Sequence, residues 1–192
     1  SGVDAATITD SSAALLLDTG DGDDQVNVRK TTEGMTVQNS AGADTVNIGS
    51  LAPASNGTLG QINGIVTVSG GGSDTLNVDD SGDATGQVGS LDATSLTGLS
   101  PAGIMFSGLA HLNVHLGTGD DTLTVSATTA PTTVTTGGGT NTINVGPTNL
   151  NGITSALVVT GSGSDILNMN DSASAGPSTG LMTATQVLMG AA

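Results

Sequence analysis

The chain has 192 residues, a formal net charge of −15, 30 glycines, no cysteine, and Phe106 as its one residue of the Phe, Trp and Tyr type. Its only Lys and Arg residues, Arg29 and Lys30, are adjacent, which excludes a basic surface for nucleic acid or for anionic lipid. The lack of cysteine excludes disulfides and thiolate chemistry, and no run of about 18 apolar residues is present to cross a membrane. Disorder is disfavoured as well, because 35% of the residues are hydrophobic, only 10% are charged, and the apolar ones fall in short alternating runs.

In chain order, Thr7 to Leu17 reads as a partial coil, followed by a glycine-acid corner and strand at 20–28 (GDGDDQVNV). A short strand at 35–37 (MTV) leads into SAGADTVNI at 40–48, and VTV at 66–68 leads into GGGSDTLNV at 70–78. DDSGD at 79–83 reads as a solvated loop, with a weaker copy, NDSAS, at 170–174. Leu91 to Thr97 is expected to be a strand without a glycine-acid corner. LNV at 112–114 then precedes GTGDDTLTV at 117–125, GGGTNTINV at 137–145 and GSGSDILNM at 161–169.

These six units share a pattern: glycine, any residue, glycine, any residue, acid, any residue, apolar, Asn, apolar, with the second departing at its first position, where Ser40 replaces glycine. The acid position holds Asp24, Asp44, Asp74, Asp121, Asn141 and Asp165, at spacings of 20, 30, 47, 20 and 24. A longer period lies above them, since Asp24 to Asp121 and Asp44 to Asn141 are both 97 positions and Asp74 to Asp165 is 91. NGI at 63–65 recurs at 151–153, and DATSLTG at 92–98 resembles TATQVLMG at 183–190. The chain therefore reads as one continuous segment of two tandem repeats, approximately 1–98 and 99–192.

Strand neighbours point to opposite faces. Val26, Val46, Leu76, Leu123, Ile143 and Leu167 are thus expected in one inward column, and Val28, Ile48, Val78, Val125, Val145 and Met169 in a second. The outward row between them, Asn27, Asn47, Asn77, Thr124, Asn144 and Asn168, suits a hydrogen-bonded ladder. Strand, glycine corner, strand and loop, repeated every 20–30 residues, is expected to be an all-β parallel β-helix, or β-solenoid. Two coils in the 47-residue gap bring the total to about eight, or roughly 38 Å at about 4.8 Å per coil. A sandwich of short strands is the rival fold.

SGGGSDTLN (69–77), LGTGDDTLT (116–124), TGSGSDILN (160–168) and TGDGDDQVN (19–27) resemble the RTX nonapeptide family, each lacking only the first glycine. The whole chain is also similar to the roughly 100-residue repeats of very large bacterial surface proteins. The resemblance implies export, calcium in the glycine-acid corners and calcium-driven folding. The units here are interrupted by 11 or more residues, so a site would form between corners of successive larger coils. Electrostatics points the same way. Carboxylates stacked about 5 Å apart repel by roughly 0.8 kcal/mol in water and about 3 kcal/mol at an effective dielectric of 20. Oxygen-only ligands select calcium over zinc or copper. The expected ligands are Asp24, Asp44, Asp74, Asp121 and Asp165, with Asp21, Asp23 and Asp120 adding charge. The competing role of each Asp or Asn is to cap its own turn.

His111 and His115 are expected to face solvent, not to form a zinc pair. The chain is not expected to be an enzyme. A lyase acting on sugar acids would need basic groups that only Arg29 and Lys30 supply, and acids repeated at one position signal architecture. The expectation is an extracellular or cell-surface structural segment, a stalk, filament or adhesin. Its partners would be further copies of itself stacked end to end, and surface or matrix polysaccharide. A carbohydrate- or ice-binding module is the alternative, although the Thr118 position lacks the Thr row an ice surface requires.

Overall fold

Alternating apolar residues give each strand one face that must leave water, and glycine at the corners lets the chain turn at once. In a computed structural model of the chain, which describes residues 2–174, 180–182 and 187–189, the outcome is all-β. The strands are β1 (Ala5–Ile8), β2 (Leu15–Gly20), β3 (Gln25–Val28), β4 (Met35–Asn39), β5 (Thr45–Ile48), β6 (Val66–Asp79), β7 (Val88–Leu91) and β8 (Ser95–Thr97). They continue as β9 (Ile104–His115), β10 (Thr122–Val125), β11 (Thr132–Thr135), β12 (Thr142–Val145), β13 (Leu157–Thr160), β14 (Ile166–Met169), β15 (Gly180–Met182) and β16 (Val187–Met189). All join one large, mostly parallel sheet.

The pairings resolve into two parallel ladders. Ladder A runs β1, β3, β5, the end of β6, the end of β9, β11 and β13, and then β16, antiparallel to both its neighbours, and β15. Ladder B runs β2, β4, the start of β6, the start of β9, β8, β7, β10, β12 and β14, and only β8 is antiparallel to its neighbours there. The chain passes from one ladder to the other at each corner, and β6 and β9 bend through a corner without a break.

Apolar columns meet between the ladders in a single buried cluster. Val26, Val46, Leu76 and Leu112 stack in ladder A, as do Val28, Ile48, Val78, Val114 and Val134. Met35, Val66 and Ile104, then Leu123 and Ile143, supply ladder B. Each fully buried Val, Leu or Ile contributes about 1.5–3 kcal/mol, which is how a chain with one Phe assembles a core.

Three expectations are revised. The inward columns do not run the whole chain: Val26, Val46 and Leu76 are in ladder A, whereas Leu123, Ile143 and Leu167 are in ladder B. Met169 is 40% exposed, because β14 is the last strand of ladder B among the described residues. Residues 91–97 are not one strand. Asp92 accepts the N–H groups of Thr94 (2.8 Å) and Ser95 (2.7 Å) and turns the chain between β7 and β8. The 47-residue gap therefore holds a hairpin, then a circuit through an acid-free corner at 107–110, where Leu109 stands in register with Asp74.

That extra half-circuit exchanges the ladders. β3 and β10 are 97 positions apart (25 to 122), as are β5 and β12 (45 to 142), yet β3 and β5 are in ladder A and β10 and β12 in ladder B. The Asn row divides accordingly. Asn113 donates to Asn77 (2.9 Å), Asn77 to Asn47 (2.8 Å), Asn47 to Asn27 (2.9 Å) and Asn27 to Thr7 (3.2 Å), while Asn168 donates to Asn144 (2.9 Å). Asn27 and Asn47 are buried despite facing away from the core, for the loop at 50–57 folds toward them, held by Arg29 Nε on the Ala52 carbonyl (2.7 Å). TATQVLMG at 183–190, the counterpart of DATSLTG, lies partly outside the described residues.

Candidate cation-binding corners

The glycines at the corners are dictated by close approach as much as by angle. Gly22 (φ 132°), Gly42 (φ 140°), Gly139 (φ 79°) and Gly163 (φ 112°) lie in the left-handed region, and a Cβ on Gly42 would strike the Gly22 carbonyl. Corners can therefore stack backbone on backbone. Because the ladders exchange, the corners form two columns: Asp24, Asp44 and Asp74 on one edge, Asp121, Asn141 and Asp165 on the other.

Within each column one side-chain oxygen staples the preceding turn. Asp24 Oδ1 accepts the Asp4 N–H (2.7 Å), Asp44 Oδ1 that of Asp24 (2.8 Å), and Asp74 Oδ1 that of Asp44 (2.9 Å). On the second edge Asp121 Oδ1 accepts the Gln87 N–H (2.8 Å), Asn141 Oδ1 that of Asp121 (2.9 Å), and Asp165 Oδ1 that of Asn141 (3.2 Å). The side chains thus cap the neighbouring turn. Own-turn capping is added at Asp74, whose Oδ2 accepts the Gly71 N–H (2.5 Å), and at Asn141, whose amide donates to the Gly138 carbonyl (2.8 Å).

The second oxygens differ. Asp24 Oδ2, Asp44 Oδ2 and Asp121 Oδ2 are buried and have no hydrogen-bond partner. Those of Asp74 and Asp165 are used, the latter by the Thr136 hydroxyl (2.8 Å). Of the flanking acids, Asp21, Asp23 and Asp120 are exposed; Asp23 caps Ala43 (2.9 Å) and Asp120 caps Thr140 (2.8 Å). Neither basic side chain serves the corners, since Arg29 holds Ala52 and Lys30 pairs with Asp10 (2.7 Å) at the surface.

Burial raises the pKa of the Asp44 carboxyl, the Asp24 N–H lowers it, and the neighbouring charges of Asp74 and Asp24 raise it further, for a net rise. Asp121 is also raised, by burial first, against the hydrogen bond from the Gln87 N–H and the pull of the Gly117 N–H, which falls short of hydrogen-bond geometry, with the charges of Asp83 and Asp120 adding to the rise.

The DDSGD segment is more than a solvated loop. Asp80 is 1% exposed, its Oδ1 accepts the Leu59 N–H (2.7 Å), and its Oδ2 is buried without a partner. Burial pushes its carboxyl up to about 7, opposed by the Leu59 N–H and reinforced by Asp83, Asp121 and Asp79. The weaker copy does the same work: Asp171 Oδ1 accepts the Leu150 N–H (3.0 Å), and both partners lie 91 positions on (80 to 171, 59 to 150). Sequence reasoning missed Asp80 as a buried group; the recurrence of its Asp at that spacing was the available signal. His111 and His115 are exposed, as expected.

The donor set suits a hard cation in one respect. An anionic oxygen buried without a partner is costly, and a cation or a proton would relieve it. No group of three or more acidic or histidine side chains is arranged for a metal among the described residues; three of the six corners, at Asp24, Asp44 and Asp121, each offer one unpartnered carboxylate oxygen. Compared with protein-family models, curated proteins and solved structures, the chain matches none.

Proposed function

We propose that the chain is a segment of an extracellular, calcium-stabilised β-solenoid with a structural or adhesive role in a longer stack of such repeats. The observation that carries this reading is the column of buried carboxylates with unpartnered second oxygens at Asp24 and Asp44. In a chain with two basic side chains, both engaged elsewhere, only a cation from solution or a proton can neutralise it.

Asp24, Asp44 and Asp121 would hold calcium through Oδ2, while Oδ1 keeps its backbone staple. Calcium supplies charge compensation at the corner, and it takes six to eight oxygen ligands, so backbone carbonyls and water complete the shell. Asp74 and Asp165, with both oxygens engaged, act as staples first. The acids recur at one structural position, which supports an architectural role over catalysis.

The test is thermal melting with chelator and with added calcium. Calcium at 100 times its dissociation constant stabilises by about 2.7 kcal/mol per site, so the melting temperature should rise by several degrees and keep climbing by a similar step for each further tenfold rise in free calcium. Identical melting in chelator and in millimolar calcium would overturn the calcium reading and leave the corners as staples alone.

A further inference from the structure

Two strands occupy matching seats in the two repeats but come from different places in the chain. β7 lies parallel on β10, with Val88 opposite Thr122 through Leu91 opposite Val125, and the preceding Gln87 N–H reaches Asp121 Oδ1. β1 lies parallel on β3, with Ala5 opposite Gln25 through Ile8 opposite Val28, and the preceding Asp4 N–H reaches Asp24 Oδ1. Since β3 and β10 are 97 positions apart (25 to 122), the two registers are the same. The glycines agree: a Cβ on Gly22 would strike Gly2, and one on Gly119 would strike Thr85 and Gly86. Residues 2–8 thus fill on the first repeat the seat that residues 85–91 fill on the second.

The origin of the occupant differs. β7 belongs to the repeat before β10, whereas β1 belongs to the same repeat as β3. The segment 97 positions after β1 (102–105) runs into the start of β9, which is separated from β10 by β8 and β7 and lies between β6 and β8. The chain also carries a second hairpin. β16 falls 92 positions after β8 (95 to 187), and β15 falls 92 positions after the start of β7 (88 to 180).

We propose that copies of this chain join end to end by strand exchange: β15 of one copy seats on β3 of the next, in the register β7 holds on β10, and displaces β1. This rests on the stacked-array reading above. The released β1 then enters between β13 and β16 of the preceding copy, as the start of β9 lies between β6 and β8. The joint breaks two pairings, β1 with β3 and β13 with β16, and forms three, so it gains one net strand pairing. β1 is a weak occupant. No residue of Ala5 to Ile8 is buried, and a groove lined by Asp4, Ala6, Leu17, Asp24 and Val26 remains beside it. In the exchanged register Leu181 stands opposite Val26, where Ala6 stands now.

The absence of cysteine allows a direct test. An Ala5→Cys/Gln25→Cys variant, oxidised, locks β1 onto β3; sedimentation velocity compares it with its reduced form and with the unmodified chain. The unmodified and reduced chains should form concentration-dependent oligomers, and locking should weaken association by about tenfold or more. In a second variant, Gln25→Cys/Gly180→Cys, a short bismaleimide should link one copy to the next and give a series of dimers, trimers and higher species. Equal association of locked and reduced chains, or no links between copies at 25 and 180, overturns the exchange while leaving the stack. Failure of every form to associate overturns the stacked array along with it.

Discussion

The two corner columns are built from one motif and differ at a single kind of position. On the first edge Asp24, Asp44 and Asp74 follow one another with no neutral member. On the second, Asn141 stands between Asp121 and Asp165, and its amide donates to Asp165 Oδ1 (2.9 Å) and to the Gly138 carbonyl. Both columns keep the same backbone staple. An amide therefore suffices for stapling, and a carboxylate adds a charge that stapling does not need. Under the calcium reading, that added charge is what the first edge retains for a cation, while the second edge has traded part of it for hydrogen bonds.

The comparison can be broken most severely in the core. Val46 and Ile143 are counterparts 97 positions apart, and both are buried, at 0% and 1% exposure. Val46→Asp and Ile143→Asp should each cost about 4 kcal/mol or more in urea denaturation, because each buries an unpaired charge. A large difference between them would show that the repeats are not equivalent in packing. Asn47→Asp should cost far less, about 1–2 kcal/mol, since it keeps the acceptor for Asn77 and loses the donor to Asn27.

The next effect is pH dependence. Asp80, raised to about 7, is buried, whereas its counterpart Asp171 is half-buried. An acid with a raised folded-state pKa holds its proton in the folded chain after the unfolded chain has released it. Stability measured without divalent cations should therefore fall as pH rises from about 4 to about 7, by roughly 2–4 kcal/mol, and level off above. Asp80→Asn should flatten that slope while keeping the acceptor for Leu59.

Smaller changes should convert one column into the other. Asn141→Asp adds a buried charge between Asp121 and Asp165 and removes two donated hydrogen bonds; we expect a loss of about 1–3 kcal/mol in chelator and a larger response to calcium. Asp44→Asn imitates Asn141 on the first edge. It should gain about 1 kcal/mol in chelator and lose part of the calcium response, read as the difference in melting temperature between the two conditions. An unchanged calcium response in both variants would detach the metal from the corners.

Much of this architecture was legible along the chain. Alternation at Thr45 to Ile48 identified which residues turn inward, because a strand's side chains have period two whatever lies beside it. The corner glycines and the Asn ladder were equally readable, each from a residue type with a local geometric reason. The sequence could not reveal which strand stacks on which. Period two assigns a face, but Leu123 and Val26 carry the same pattern in different ladders, and only the hairpin at β7–β8 and the extra half-circuit through β9 decide that. Burial of Asp80 was hidden for a related reason: DDSGD has the composition of a solvated turn, and what buries it, with the Leu59 N–H on its Oδ1, comes from distant segments. Local chemistry determined strands and corners, while the staples join turns 20 or more residues apart and depend on the stacking. Long-range stacking, a property of neighbours brought together by the whole path of the chain, decided the edges on which the acids gather.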